Sequence, residues 1–351
     1  MTTVTSGLRL DRLTSLRFFA ALLVFAFHST AFFESQARDV LEGFFGAGRS
    51  GVTFFFVLSG FMLAWVHRQS DTPRRFYLRR LARIYPAYLA ALAFAATLWA
   101  ITDPSQLYRG VLAPFLLQAW VPDATYYFGL NVVAWSLSVE AFFYVTFPLF
   151  ARFLAPRSTS FLWSAAGIAV ACTIALATIA NASVDADGLA ANSFTVWLAY
   201  YCPVSRLPEF VFGMILGFLC RRGQLPAINW WAAIAFALAA YALASVYLNA
   251  YSVVALVMVP FAILIVAAAQ RDLANVRGLL TSAIAVELGA LSYCFYLMHH
   301  IFIIRLAQPG IRELGIDGAV ALGIAFSLSM LGAWLLHKYV EVPMERRLSG
   351  R

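Results

Sequence analysis

The chain has 351 residues, 62% hydrophobic and only 12% charged, with a mean hydropathy of +0.78 and a formal net charge of +8. A soluble domain carries about twice that charged fraction, so composition excludes a soluble globular protein. Apolar runs long enough to cross about 30 Å of hydrocarbon recur along the whole length.

No compositional break, repeat or low-complexity tract divides the sequence, and residues 1–351 read as a single integral membrane domain. The first apolar run is of full span length, and no Ala-x-Ala site with a soluble sequence follows, so it is not a cleavable signal. Ten spans are predicted, at 16–33, 49–66, 85–102, 131–151, 160–180, 206–220, 228–248, 252–269, 285–305 and 317–337. The fold class is therefore all-α, a polytopic membrane helical bundle. With the N-terminus inside, 19 of the 25 basic residues fall on the cytoplasmic side and 6 on the other: Arg38, Arg49, Arg109, Arg206, Arg305 and Arg312. That bias predicts two cytoplasmic termini. The acids Glu34, Asp39, Glu42, Asp103, Asp123, Asp185 and Asp187 lean outward. The net charge reflects topology and anionic lipid, with no nucleic-acid partner implied.

In the first span, Arg17 and His28 stand eleven positions apart, about three helical turns, which places them on one face about 16 Å from each other. Arg17 then marks the membrane edge and His28 a titratable imidazole near mid-bilayer, where an ionisable group reads by default as functional. In the second span, Ser59-Gly60 offers small residues for close helix packing. Before the third span comes Arg74-Arg75-Phe76-Tyr77-Leu78-Arg79-Arg80-Leu81-Ala82-Arg83, with Pro86 fixing its start. Positive-inside topology accounts for most of these arginines. Arg80 and Arg83 nevertheless share a helix face, and planar guanidinium forks suit phosphate. The stretch 111–121, punctuated by Pro114 and Pro122, is too short to span and reads as interfacial or re-entrant.

The fourth span carries Trp135-Ser136-Leu137-Ser138-Val139-Glu140, with Ser136 and Glu140 on one face. Counted from Asn131, Glu140 lies about 13 Å inward. Added to the depth of His28 this matches the core thickness, which permits a His28–Glu140 pair without showing contact; such a pair would offset the cost of a buried carboxylate and supply an acid–base couple. Cys172, Cys202, Cys220 and Cys294 have neither metal nor disulfide spacing, and no metal site is expected. In the ninth span Ser292, Tyr296 and His299 share a face. His299 and His300 point about 100° apart, so only one of them is expected at a shared site.

Taken together these residues resemble acyltransferase family 3, ten-span membrane O-acyltransferases that modify bacterial surface polysaccharides, glycolipids, peptidoglycan and some secondary metabolites. The resemblance runs from Leu10-Asp11-Arg12-Leu13 to Glu341-Val342-Pro343. It rests on the Arg17–His28 spacing, Gly51-Val52 through Phe54-Phe55 to Ser59-Gly60, Arg80-x-x-Arg83-Ile84-x-Pro86, Trp135-Ser136-Leu137-x-x-Glu140, and Ser292-Tyr293-x-x-Tyr296-Leu297-x-His299. Some members carry a further esterase-like domain after the last span. With this chain ending at Arg351, the membrane domain is expected to act without one.

The resemblance implies catalytic roles for His28 and Glu140, and donor contacts from Arg17, Arg80 and Arg83. It further implies acceptor contacts from Trp135, Ser136, Tyr293, Tyr296 and His299. The donor would be acetyl-CoA or a related short acyl-CoA, with no permanently bound cofactor. The acceptor would be a hydroxyl of a sugar, polysaccharide or glycolipid, and the location a bacterial inner membrane. His28 would act as general base or carry the acyl group itself. A rival reading, a proton-coupled secondary transporter, suits intramembrane His and Glu, but paired broken helices marking inverted repeats are not seen.

Overall fold

The computed structural model describes residues 9–68, 71–182, 194–249, 251–308 and 317–349. Asp185, Asp187, Arg312 and Arg351 lie outside the described residues. The principal helices are α1 (Asp11–Ser29), α2 (Ser35–Phe45), α3 (Gly51–Val66), α4 (Pro73–Thr102), α5 (Ala124–Tyr127), α6 (Trp135–Leu154) and α7 (Thr159–Ala182). They continue as α8 (Phe194–Val196), α9 (Pro203–Arg221), α10 (Trp230–Val246), α11 (Val257–Leu273), α12 (Ala283–Leu306), α13 (Gly318–Leu336) and α14 (Val342–Ser349). Among the described residues no strand occurs. Nine helical stretches there are long and apolar enough to cross a membrane, and α10, apolar but 17 residues long, makes a tenth apolar helix.

Helix α4 is longer than the predicted third span because it starts at Pro73, in the arginine-rich stretch. Thr72 caps its N-terminus, and Pro73 at the first helical position needs no donor. The arginines therefore ride on one helix that continues through Pro86 into the membrane. Near that proline, the Tyr293 hydroxyl donates to the Ile84 carbonyl at 2.8 Å.

Small residues set the closest packing. A Cβ added at Gly60 of α3 would lie 2.0 Å from the Phe210 carbonyl oxygen of α9, and one at Gly213 would lie 2.0 Å from that of Val57. The two backbones touch at both points, an approach only glycine permits. Gly60 thus has the packing role read for it. Ser59 does not, since its hydroxyl donates to Glu140 at 3.3 Å.

Residues 104–134 are a succession of short turns rather than a span. Non-helical backbone at membrane depth must find partners inside the protein, and here spanning side chains supply them. Tyr85 donates to Pro114 O (2.8 Å), Tyr88 to Ala113 O (2.7 Å), Ser138 to Leu116 O (2.5 Å) and Trp197 to Ala119 O (2.9 Å). The segment is not a span but is fastened to the bundle through its carbonyls, and Leu116 adopts a left-handed φ of 56°.

Candidate active site

The site is built where α1, α3, α4, α6 and α12 converge. Phe295 of α12 packs against Phe18 and Phe25 of α1, ring centroids 5.6 Å apart in both cases, which fixes the register of the two helices. That register brings His28 Nδ1 to 3.0 Å from His299 Nε2, while His299 Nδ1 lies 2.8 Å from the Tyr296 carbonyl. A carbonyl only accepts, so His299 Nδ1 carries the proton and its Nε2 is an acceptor. The shared hydrogen bond is then donated by His28 Nδ1–H, and among the described residues the lone pair of His28 Nε2 is unengaged.

Both adjacent histidines reach His28, contrary to the expectation that one would turn away. The His300 ring lies edge-on at 4.7 Å and the His299 ring at 5.2 Å. Their side chains diverge by 100° on α12, but His28 approaches from a separate helix and sits in the angle between them.

The His28–Glu140 pair that depth permits is not found among the described residues. Glu140 accepts from Tyr144 at 2.6 Å and from Ser59. The depth count failed because Asn131 is not at the membrane edge: it is 4% exposed and donates to the Leu297 carbonyl at 2.9 Å. Leu297 lies nine residues, or about 13 Å, below the outer end of α12, so α6 starts deep and carries Glu140 toward the arginines.

There, Arg17, Arg80, Arg83 and Glu140 line one cavity of about 150 Å³ together with Ser59, Ser136, Tyr144, Ser292, Tyr293 and Tyr296. His28 is not among the residues lining it. Between stands a hydrogen bond of 2.9 Å joining the Ser136 and Tyr296 hydroxyls, with Phe55 edge-on to Tyr296 at 5.9 Å. Tyr293 presents its ring to the cavity with its hydroxyl spent on Ile84. Trp135 does not line the cavity: it is 5% exposed and packs among Phe56, Tyr200 and Tyr201.

The three arginines differ in their partners. Arg83 pairs with Glu345 at 2.8 Å and with the buried Glu341 at 3.5 Å. Arg80 rests its guanidinium 6.0 Å from the Phe76 ring. Neither Glu341 nor Glu345 was read as a site residue in the sequence, although Glu341 belongs to the motif at which the family resemblance ends and Glu345 lies just beyond it. Glu341 also accepts from Cys294 Sγ (3.2 Å) and meets His337 Nδ1 (2.7 Å), so its carboxylate gathers the last helices onto α4 and α12. A second unforeseen pair, Arg206 and Glu209, is 0% and 1% exposed with 2.5 Å between charged atoms. Arg206 further donates to Thr53 at 3.0 Å and lies 5.1 Å from the Phe56 ring. The spacing of three was its only signal.

The sequence model of the family described as an acyltransferase domain matches residues 10–338. The chain is 35% identical to the acyltransferase MdmB of Streptomyces mycarofaciens, over 98% of this chain and 93% of that protein. It is 30% identical to the exopolysaccharide production protein ExoZ of Rhizobium meliloti, over 88% and 92% respectively. A partial likeness, 30% over 42% of this chain and 26% of its counterpart, links it to the O-acetyltransferase OatA of Staphylococcus aureus. No solved structure matches.

Proposed function

Because the chain belongs to this acyltransferase family and is a multi-pass membrane acyltransferase, we propose that it moves a short acyl group from acyl-CoA to a hydroxyl of a sugar, polysaccharide or glycolipid. The observation that carries this reading is the Tyr296–His299–His28 chain, which leaves one basic nitrogen free. In the proposed step His28 Nε2 takes the proton of the acceptor hydroxyl as its oxygen attacks the thioester carbonyl. The carbon–sulfur bond then breaks, and the protonated imidazole returns its proton to the departing thiolate. A charge arising on His28 is shared with His299 through the 3.0 Å bond. In the covalent variant, Nε2 itself attacks the thioester and expels the CoA thiolate, and the acceptor hydroxyl then attacks the acyl-histidine, breaking its carbon–nitrogen bond as the hydroxyl proton passes to the thiolate.

The arginine-lined cavity supports a polyanionic donor on that side. Arg17 and Arg80 offer guanidinium forks to phosphate, and Arg83 joins them on exchanging Glu345 for a ligand oxygen. Glu140, bonded to Tyr144 and Ser59, is reassigned from an acid–base couple with His28 to ordering the cavity wall between arginines and hydroxyls. We assign the arginine-rich face and both termini to the cytoplasm of a bacterial inner membrane, where acyl-CoA is available and the positive-inside bias points. Sugar or glycolipid acceptors would approach from the other face or from the lipid.

The test is release of CoA thiol by the purified chain given acetyl-CoA and a hydroxyl acceptor, with His28→Ala in parallel. Acceptor-dependent release by the wild type alone is expected; none from either protein would return the transporter reading. Single-turnover mass spectrometry for acyl-histidine separates the two roles of His28. Thiol-labelling of cysteines placed at Arg74 and Ala124 in intact cells checks the orientation: Arg74 outside would reverse it.

A further inference from the structure

Three helices line the arginine cavity and, one turn away, a second cavity of about 360 Å³. Leu63 of α3 belongs to the first and His67, just past its end, to the second; on α4 the pair is Arg80 and Phe76, on α6 Tyr144 and Phe147. Each pair is three or four residues apart, about 5.4 Å along a helix. Helices α3 and α6 run toward the arginine-rich face and α4 away from it. In all three, the residue nearer that face lines the second cavity. The two spaces are therefore stacked end to end along the bundle axis. Between them stand the Phe76 and Phe147 rings, stacked at 4.9 Å with an interplanar angle of 19°, and Arg80 beside Phe76.

The second space differs from the first in chemistry. Its walls include the two phenyl rings and the His67 imidazole, and Arg152 stands at its mouth. Burial and the neighbouring Arg221 guanidinium hold His67 below its ordinary pKa, so the ring is a neutral flat surface at pH 7. The carboxylate present, Asp71, is already paired with Arg79 at 2.5 Å. Arg221 donates to the carbonyls of Ala64 and His67, and Arg222 to those of Ala155 and Arg157, so both keep their full positive charge. Flat rings inside, Arg152 in the lining and the Arg221 guanidinium beside His67 fit an aromatic base bearing phosphates. The volume falls within the range of small-molecule pockets, about 300–1,000 Å³.

Resting on the donor reading above, we propose that this second cavity seats the adenosine bisphosphate head of acyl-CoA. The base lies against His67 and Phe147, the 3′-phosphate turns to Arg152, the pyrophosphate reaches the arginines of the first cavity beginning at Arg80, and the pantetheine arm runs on beyond them. A ligand with a bulky anionic head and a thin reactive arm matches a wide outer space, an aromatic and guanidinium neck, and a narrow inner space.

The experiment titrates adenosine 3′,5′-bisphosphate into the detergent-purified full chain, and compares acetyl-CoA with S-acetylpantetheine, which lacks the head, as donors for wild type and Arg152→Glu. The bisphosphate is expected to bind and to compete with acetyl-CoA. Arg152→Glu is expected to weaken bisphosphate binding by about tenfold or more and to raise KM for acetyl-CoA equally, so that the advantage of acetyl-CoA over S-acetylpantetheine collapses. Failure of the bisphosphate to bind, displacement by phosphatidylglycerol micelles but not by nucleotide, or an equal change in both KM values overturns the proposal. Wild-type thioester cleavage accompanied by one of those results sinks this site alone, whereas absence of any cleavage sinks the donor reading on which it rests.

Discussion

The hydroxyls of Ser136 and Tyr296 stand 2.9 Å apart, and their hydrogen bond closes the outer end of the arginine-lined cavity beneath His28. Tyr296 has a second duty, since its carbonyl sets the tautomer of His299. The duties separate in Tyr296→Phe, which keeps the carbonyl and loses the hydroxyl. Ser136 retains its 2.9 Å bond to the Val133 carbonyl, so the stability loss should be only about 1 kcal/mol. With the partition loosened, acceptor-independent thioester hydrolysis should rise relative to transfer. A thiol-release assay with and without acceptor checks this, and an unchanged ratio would remove the partition from the mechanism.

His28→Ala should lower acyl transfer by at least about 10²-fold, the floor for general-base assistance, while the protein stays monodisperse. Retention of a tenth of wild-type activity would end the assignment. His299→Ala removes the acceptor that orients His28 Nδ1–H and should lower kcat by about tenfold or more with little change in donor KM. Equal losses in both parameters would indicate a packing role for His299 instead.

Arg80 and Arg83 line the same cavity but should fail differently. Arg80→Ala should raise donor KM by about tenfold or more, since one charge-assisted phosphate bond contributes about 1.5–3 kcal/mol. Arg83→Ala also takes from Glu341, whose side chain is 0% exposed, one charged partner, leaving it His337 and Cys294, and should lower thermal stability in detergent as well as donor affinity. Melting curves beside kinetics distinguish the two, and identical profiles would contradict the partners described for Arg83.

Removing Arg206 alone, as Arg206→Met, leaves Glu209 buried and uncompensated and should cost about 3–5 kcal/mol. The double change Arg206→Met with Glu209→Leu should recover most of that loss. A double variant no more stable than the single one would show that the link from Arg206 to Thr53 matters more than the ion pair.

Periodicity and composition were sufficient for the helices, because a bilayer admits few architectures and long apolar runs announce themselves. Glu140 was found as a charge in an unfavourable place, Arg17 from its spacing to His28, and Arg80 and Arg83 from a shared helix face, and the structure gathers the four into one cavity. Their pairing was not legible. Depth counting treats every span as starting at the membrane edge, whereas Asn131 starts α6 beside Leu297. The His28–His299 bond joins residues 271 positions apart, a relation fixed by how α1 crosses α12 and carried by no local spacing. Trp135 looked like a ligand contact through its motif, yet its neighbours are aromatic side chains from α3 and from the turn preceding α9.

The stretch of short turns at 104–134 is secured through its own main-chain oxygens, by hydroxyls and an indole that belong to other parts of the chain. Its own side chains at Val111, Phe115 and Leu117 are 59%, 71% and 48% exposed and take no part in that fastening. Two kinds of evolutionary freedom result. The outward residues of 111–117 can drift among apolar types to suit the surrounding lipid, because what holds them does not read their identity. Tyr85, Tyr88, Ser138 and Trp197 are constrained, although each lies far along the chain from the loop it secures.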